Sequence, residues 1–449
     1  MVKVKTLALS VGAALAWGTL GSAHAATTTQ QVADLKAQVA ELQQMVQQLS
    51  SQQQSQAVQL QQQAEIAAAK PAPVVAPVAA STKPGWITLP DGQTQLKIYG
   101  SVRVDAAYDF DGTNSSTTYA NKTGSVPLNK ANATKGALNT TAATSRIGLD
   151  IVRPTEYGDL TGKIEADFAG SSDNNSNGSF RVRHAYLSLG KWLVGQTTSP
   201  FVNTDTAPDL IDFTGPMGTG TQRNVQVRYT QPVTTNQKLL LALESGQITE
   251  EDNTSTGGKR LPAVTARYDL ATADKKGLLQ LHALAHENRV SSNDNNDEEK
   301  WGWGVGVGGK YQLTSQDAIM ANYYHVKGDS KYMLYSGQGN SAYATTLSNG
   351  DYNIYLSEFD TAQVGYQRKW NSQWRSTFSV AGMKFKDDNA YARANQSNNK
   401  TLYNAIANII WSPVKNLDLG AEYTNGQRKT FAGDKGDINR VNLMAKYSF

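Results

Sequence analysis

The C-terminal segment, residues 438–449, constrains the fold more than any other part of the chain. Apolar or aromatic side chains occupy positions 441, 443, 445, 447 and 449, and polar ones occupy 440, 442, 446 and 448. Met444 is the exception. A period of two is that of a β-strand, whose successive side chains point to opposite faces. The chain therefore ends in an amphipathic strand that closes on an aromatic residue, Phe449.

The N-terminus predicts export. Lys3 and Lys5 precede an apolar run from Leu7 to Trp17, and Ala23-His24-Ala25 has the A-x-A form of a cleavage site. These are the three parts of a secretory signal peptide, which we assign to residues 1–25. The two lysines leave with it, and the formal net charge falls from +4 to +2. The basic composition is therefore no sign of nucleic-acid binding.

Composition narrows the class further. The chain has no cysteine, so an exported protein of this length must be held by hydrogen bonds and burial alone. After the signal peptide, no apolar run reaches the roughly 20 residues that a transmembrane helix needs. The mean hydropathy of −0.47 suits a transmembrane β-barrel, because only every second strand residue faces lipid and the loops are polar.

Residues 26–69 are predicted to form a coiled coil in the periplasm. Apolar side chains repeat there with a seven-residue period, and the glutamines between them are uncharged helix formers. Isolated helices of this length are marginal, so a flexible tether is the alternative. Residues 70–95 follow as a linker rich in proline and alanine, which favours an extended chain. The heptad positions are Val32, Leu35, Val39, Leu42, Val46 and Leu49.

Residues 96–449 repeat one pattern, in which alternating segments are joined by a long polar connection and then by a short turn. Such a regular exchange of long loops and short turns is typical of outer-membrane barrels, and an even strand number returns the C-terminus to the periplasm. The predicted fold is an all-β transmembrane barrel of 16 antiparallel strands, preceded by the α-helical coiled-coil segment. The strands are predicted at 96–109, 144–153, 159–169, 180–189, 191–197, 222–231, 237–245, 260–269, 277–287, 300–312, 317–327, 357–370, 373–385, 401–412, 416–425 and 437–449.

The two faces of these strands differ in chemistry. In the first, Val102 and Val104 lie on one side and Arg103 and Asp105 on the other. A barrel explains this, because the charged face lines water and the apolar face contacts lipid. The barrel must also close, since backbone groups at a lipid-exposed edge would go unsatisfied. In 300–312, glycines alternate with apolar residues and fit no phosphate-binding motif, so they are expected to make room in the lumen or to let a loop pack closely.

Signatures of catalysis are absent from the sequence. No G-x-S-x-G or H-E-x-x-H motif occurs, so we expect no enzyme and no catalytic residue. His282 and His286 have the spacing of helical metal ligands, but on a strand they would lie about 13 Å apart, too far to share one ion. No metal and no other cofactor is therefore expected.

Arginine recurs on the polar face of the predicted strands. Rings of basic side chains favour anions, and the guanidinium fork holds a carboxylate through two hydrogen bonds. For any single arginine the alternative is a structural ion pair with a lumen carboxylate such as Asp105, Asp150 or Glu165. As a set they predict a pore-lining basic wall, formed by Arg103, Arg146, Arg181, Arg183, Arg228, Arg267 and Arg375.

Several segments together resemble the DcaP-like family of trimeric outer-membrane porins. The signal peptide, heptads and linker contribute, but the most specific segments are Arg181-Val182-Arg183-His184-Ala185-Tyr186, Gly195-Gln196-Thr197 and Ser199-Pro200-Phe201. The resemblance implies a sixteen-stranded barrel with a periplasmic coiled coil, and uptake of dicarboxylates and related small anions. It also implies a homotrimer, although valine at a and leucine at d lean toward two strands.

The third long connection, residues 198–221, is the main functional candidate. In trimeric porins the third long loop folds back into the barrel and narrows the pore, whereas the alternative is an ordinary acidic surface loop. Its position in the strand order favours the constriction. The loop is rich in aspartate, which is not expected of an anion channel. This negative charge reduces the expected anion preference. The expected constriction residues are Asp205, Asp209 and Asp212.

The leading hypothesis is an outer-membrane porin for passive diffusion of small hydrophilic solutes, with a bias toward carboxylates and dicarboxylates. Its expected partners are two further copies of the chain, outer-membrane lipid and small anionic solutes, but no nucleic acid. One alternative is a sugar-type porin, which would have eighteen strands and an aromatic ladder, for which Tyr99 is one candidate. Another is a structural outer-membrane anchor with a narrow or closed lumen.

Overall fold

The chain divides into two compact units, residues 1–76 and 77–449. The described residues of the first unit are helical and exposed. All six predicted heptad positions lie outside the described residues, so the coiled coil stays a prediction. The computed structural model describes residues 40, 43, 44, 47, 50 and 51, and then 83–112, 123–131, 133, 135–170, 178–220, 222–245, 256–257, 260–291, 297–333, 342–346 and 352–449.

The described residues of the second unit lie almost entirely in strands, and the elements among them are as follows. Short 3₁₀ turns lie at Thr123–Ser125 and Leu128–Lys130, and one short helix, α1, at Ala390–Ala394. The strands are β1 (Ile87–Thr88), β2 (Gln95–Asp111), β3 (Ala137–Thr141), β4 (Arg146–Thr155), β5 (Gly158–Asp167), β6 (Arg181–Leu189), β7 (Trp192–Thr198), β8 (Arg223–Thr234), β9 (Gln237–Glu244), β10 (Thr256–Gly257), β11 (Ala263–Ala271), β12 (Gly277–Ser291), β13 (Asp297–Gln312), β14 (Asp317–Lys327), β15 (Ala342–Thr346), β16 (Tyr352–Leu356), β17 (Glu358–Lys369), β18 (Trp374–Phe385), β19 (Asn399–Trp411), β20 (Leu417–Thr430) and β21 (Lys435–Ser448).

Sixteen of these strands form a closed antiparallel barrel. The last strand, β21, pairs with the first long strand, β2, and brings Tyr447 opposite Val102. The terminal residue joins this seam, because the Phe449 and Gly100 backbones exchange two hydrogen bonds of 3.1 Å. Each of the sixteen predicted strands corresponds to one barrel strand, so the predicted strand number and closure are confirmed.

The predicted strand boundaries are wrong where strands with polar side chains continue to pair beyond the predicted ends. The connection 426–436 was expected to be long, yet β20 and β21 continue until only residues 431–434 separate them. In these additional residues the pairing of β20 with β21 is supported by polar contacts between the strands, such as the hydrogen bond of 2.6 Å from Gln427 to Asp437. A short strand that was not predicted, β3, lies in the connection between the first two predicted strands and pairs with β2, as does β4, the second barrel strand.

Burial along the strands is inverted relative to a soluble protein. On β2, Val102 and Val104 are 58% and 48% exposed, whereas Arg103 and Asp105 are 9% and 4% exposed. The same alternation puts Trp301, Val305 and many other large apolar side chains on the outer surface. An apolar exterior around a polar interior is the arrangement of a barrel whose solvent outside is lipid. Within the described residues, no helix is both long and apolar enough to cross a bilayer.

A hydrophobic core occupies part of the barrel interior. Leu284, Tyr324, Phe359 and Leu402 project inward from the wall, and residues of two connections pack on them. One connection joins β7 to β8, and the other joins β14 to β17. The part of the lumen that these residues occupy is therefore filled by apolar side chains.

Candidate functional site

The third loop, which joins Thr198 of β7 to Arg223 of β8, reaches the opposite wall of the barrel. At its tip the backbone N–H groups of Ile211 and Asp212 donate to the carboxylate of Glu422 on β20, each at 2.7 Å. The carbonyl of Ile211 accepts a hydrogen bond of 2.5 Å from Arg103 on β2. The tip is thus held by a carboxylate at its N–H groups and by a guanidinium at a carbonyl.

The rest of the third loop is seated on the walls between β12 and β19. Pro200 O accepts from the imidazole of His282 at 2.8 Å, and Asn203 donates to Asn322 at 2.7 Å. Further along, Asp209 O accepts from Asn408 at 2.9 Å. The loop therefore follows the inner face of the barrel through successive polar contacts.

Inward glycines make this seating possible. A Cβ on Gly304 of β13 would lie 2.5 Å from the Phe201 ring, and one on Gly308 would lie 1.8 Å from the Asn203 amide. A real side chain cannot approach so closely, so the loop could not take this path over any other residue. The prediction that the alternating glycines let a loop pack closely is confirmed.

The three aspartates expected at a constriction have different environments. Asp205 and Asp209 are each 48% exposed. Asp205 accepts a hydrogen bond of 3.0 Å from Gln280, and Asp209 one of 3.0 Å from Arg375. Asp212 is only 3% exposed and accepts from the backbone N–H and hydroxyl of Thr214. Two of the three are therefore accessible to water, and the third stabilises the turn of the loop.

Four of the predicted arginines gather on β2, β4 and β6, where they meet carboxylates of β2 and of β5, the strand between β4 and β6. Arg181 chelates Asp167 at 2.7 and 2.8 Å, and Arg183 bridges Asp167 and Glu165, both at 2.8 Å. The other pairs are Arg103 with Asp105 at 2.6 Å and Arg146 with Glu165 at 3.4 Å. Four guanidinium groups against three carboxylates leave this basic cluster with a local net charge of +1.

An aromatic ring of the third loop lies among these guanidinium groups. The Phe213 ring centre is 5.4 Å from Arg103, 5.9 Å from Arg181 and 5.7 Å from Arg183. Cations within about 6 Å of a ring face are attracted by its quadrupole. Phe213 therefore fixes the third loop to the basic cluster, a role that nothing in its local sequence indicates.

The remaining predicted arginines are apart from this cluster. Arg267 pairs with Asp269 at 2.9 Å and lies 3.6 Å from Asp205 of the third loop. Arg375 likewise pairs with Asp418 at 3.0 Å and with Asp209 of the third loop at 3.0 Å. Arg228 makes no ion pair within the described part of the chain. The structural ion pair, considered as the alternative for any one arginine, thus applies to six of the seven.

A cavity of about 420 Å³ lies beside the contact between the basic cluster and the third loop. Arg103 and Arg146 line one side of it, and Asp209, Asp212 and Phe213 line the other. A second cavity, of about 580 Å³, lies toward the short turns and includes Asp205, Lys238, Asp269 and Gln280 in its lining. The interior thus contains two cavities beside the third loop, each lined by both basic and acidic side chains.

The model of one protein family, described as DcaP outer membrane protein, matches residues 19–449. The chain belongs to this family. A similar solved structure is that of the outer membrane channel DcaP of Acinetobacter baumannii, with 36% identity and a TM-score of 0.72, covering 80% of this chain and 98% of that one. No curated protein matches the sequence.

More distant structures share the fold with this DcaP family member. An anion-selective porin from Comamonas acidovorans is 12% identical, with a TM-score of 0.53, covering 80% of this chain and all of that one. Salmonella typhi OmpF in complex with daunomycin is 14% identical, with a TM-score of 0.50, covering 80% and 99%. The chain is thus an outer-membrane channel of the DcaP type, a class of channels and not of enzymes.

Some residues that shape the interior of this DcaP family member were not singled out from the sequence. Glu422 holds the tip of the third loop, and Arg440 chelates Asp109 at 2.6 and 2.9 Å with both side chains almost fully buried. The alternation of faces along β20 and β21 places Glu422 and Arg440 on the inner face. Their partners, however, are distant in sequence. His286, considered above as a metal ligand, lies 3.1 Å from Asp329. No group of three metal-ligating side chains occurs within the described residues.

Proposed function

We propose that this protein is a trimeric porin for passive diffusion of small hydrophilic solutes, biased toward carboxylates and dicarboxylates. The barrel, residues 96–449, carries the pore. Residues 26–69 form a periplasmic coiled coil that supports the trimer, and residues 70–95 are its linker. Small anions enter down their concentration gradient, and the third loop sets the size limit.

The basic cluster beside the third loop carries this proposal. Its carboxylates hold the guanidinium groups in fixed positions, yet each guanidinium has five N–H donors and the ion pairs use only some of them. Arg146 and Arg181 remain 32% and 38% exposed. A solute carboxylate can accept charge-assisted hydrogen bonds from these exposed edges. The local excess of positive charge lowers the electrostatic barrier for an anion at the narrow level of the pore.

The aspartates of the third loop temper the anion preference. Asp205 and Asp209 are half exposed, but each lies beside an arginine of the wall. They therefore form an acidic side, whose charge Arg267 and Arg375 reduce, opposite the basic cluster, and the residual field between the two sides orients dipolar solutes. We expect a modest anion preference rather than exclusion of cations.

Single-channel recording of the folded protein in a salt gradient tests this proposal. Closure in three steps, an anion-selective reversal potential and current block by succinate and by an aromatic carboxylate are expected. Arg146→Gln should lower the anion preference and weaken the block. Arg153→Gln is the matched control, because Arg153 lies on the same strand but pairs with Asp91 at the exposed rim. Cation selectivity of the unchanged protein would contradict the carboxylate bias, and block by glucose alone would favour a sugar porin.

A structural anchor with a narrow lumen is the second candidate. It is favoured by the apolar core inside the barrel, to which both the third loop and the connection between β14 and β17 contribute. Folded protein that inserts into planar bilayers without conductance would support the anchor and refute the porin.

A further inference from the structure

A second connection enters the barrel beside the third loop. The inward segment, residues 328–333, follows β14 directly and begins with hydrogen bonds to two walls. Gly328 N donates to Ser357 O at 2.7 Å, and Gly328 O accepts from the Asn288 amide at 2.8 Å. Two of its side chains, Tyr332 and Met333, are buried in the apolar core.

Tyr332 packs directly on the third loop. Its ring meets the Phe201 ring edge to face, with centroids 5.6 Å apart. The approach of the two backbones is equally close, because a Cβ on Gly220 would lie 2.0 Å from Tyr332 O. The base of the third loop is therefore enclosed between the barrel wall and the inward segment.

The hydroxyl of Tyr332 covers a buried carboxylate of the wall. It donates to Glu244 at 2.9 Å, and Glu244 also accepts from Asn224 at 2.9 Å and Thr265 at 2.8 Å. These three donors are uncharged, and Glu244 is 1% exposed. A carboxylate at the inner face of a pore would attract cations if it met water, so its cover affects selectivity.

We propose that the inward segment is a second, fixed constriction element of the pore, with Tyr332 as its positioning residue. Tyr332 has two effects, since its ring braces Phe201 of the third loop and its position seals Glu244 from the lumen. The width and the charge of the pore are thus set by two loops together. The inference rests on the proposed function in one respect, namely that the unchanged protein conducts.

Two variants separate the two effects in single-channel recordings. Tyr332→Ala removes both ring and cover, so we expect a larger conductance and a reversal potential shifted toward cations. Adding Glu244→Gln to that variant should restore the reversal potential but leave the conductance high. Tyr332→Phe should keep both values, because the ring still braces the loop and covers the carboxylate. A purely structural role would not produce this split between conductance and selectivity.

Tyr391→Ala is the matched control. Tyr391 is 2% exposed and lies in α1, in a different long loop, where its hydroxyl accepts from Asn398 at 3.1 Å. The Tyr391→Ala substitution removes the same type of side chain from an equally buried site. It should leave conductance and selectivity unchanged. If Tyr332→Ala also behaves like the unchanged protein, the inference is overturned while the porin proposal stands. If the unchanged protein does not conduct, the porin proposal fails first.

A labelling experiment keeps the inference testable if Tyr332→Ala does not fold. The chain has no cysteine, so Thr265→Cys introduces a single thiol beside Glu244. We expect this thiol to resist a small, charged thiol reagent in the folded protein, because Thr265 is fully buried beside the carboxylate that Tyr332 covers. Rapid labelling in the presence of the native tyrosine would show that the inward segment does not seal this site, and would refute the proposal.

Discussion

Replacing Glu422 by alanine should release the tip of the third loop from the barrel wall. The Glu422 carboxylate accepts three hydrogen bonds, from Ile211 N and Asp212 N at 2.7 Å and from the Asn408 amide at 3.0 Å. Alanine leaves three buried donors without this partner. Each buried, unsatisfied donor costs about 1–3 kcal/mol, and we take the lower end because water reaches these groups once the loop lifts.

A total of about 3 kcal/mol corresponds to a change on the order of 100-fold in the ratio of docked to undocked loop. The remaining contacts of the tip, from Arg103 to Ile211 O and from Asn408 to Asp209 O, do not replace the lost acceptor. We therefore expect frequent excursions of the loop, visible as current noise and a larger mean conductance.

Single-channel recording measures this effect, and resistance of the barrel to heat in detergent measures its folding. Glu422→Gln keeps one acceptor oxygen and should give an intermediate result. Glu156→Ala, at an exposed short turn, is the control for loss of a carboxylate. Quiet channels of normal conductance from well-folded Glu422→Ala would refute the reasoning, because the tip would then be held by contacts other than this carboxylate.

Three further perturbations follow from the same contacts. Gly308→Ala should raise current noise, since a Cβ there would lie 1.8 Å from the third loop, whereas Gly309→Ala on the outer face has 3.9 Å of space and should be silent. Arg440→Leu removes the guanidinium that chelates the buried Asp109 carboxylate, so urea unfolding should report a loss of about 3–5 kcal/mol. Asp209→Asn removes an exposed negative charge at the third loop and should shift the reversal potential toward anions; an unchanged potential would mean that Asp209 does not border the ion path.

The strands were predictable because the membrane imposes their pattern residue by residue. On β2 the alternation of Val102 and Val104 with Arg103 and Asp105 follows from lipid on one side and water on the other. This constraint is local, so it is visible in any short window of the sequence. It weakens at the ends of β20 and β21, where both faces are polar, and there the predicted boundaries were wrong.

The interior was less predictable because its contacts join residues far apart in the chain. The sequence marks Arg181 and Arg183 as inward and Glu165 as one candidate partner, but it does not indicate that Asp167 holds both arginines. The pairing of Tyr332 with Glu244 likewise depends on how the inward segment folds. A period of two specifies which face a side chain takes, whereas the partner on that face depends on the path of the loops.

Strand β13 combines both kinds of information in one segment. Its outward positions carry Trp301, Trp303 and Val305, which suit a membrane boundary, and its inward positions carry glycine. Glycine on an inward face adds neither charge nor a side chain to the wall. Its repetition therefore indicates that another group fills the adjacent part of the lumen. At Gly304 and Gly308 the occupant is the third loop, through Phe201 and Asn203. A run of inward glycines therefore predicts where a loop rests on a barrel wall, although it cannot predict which loop rests there.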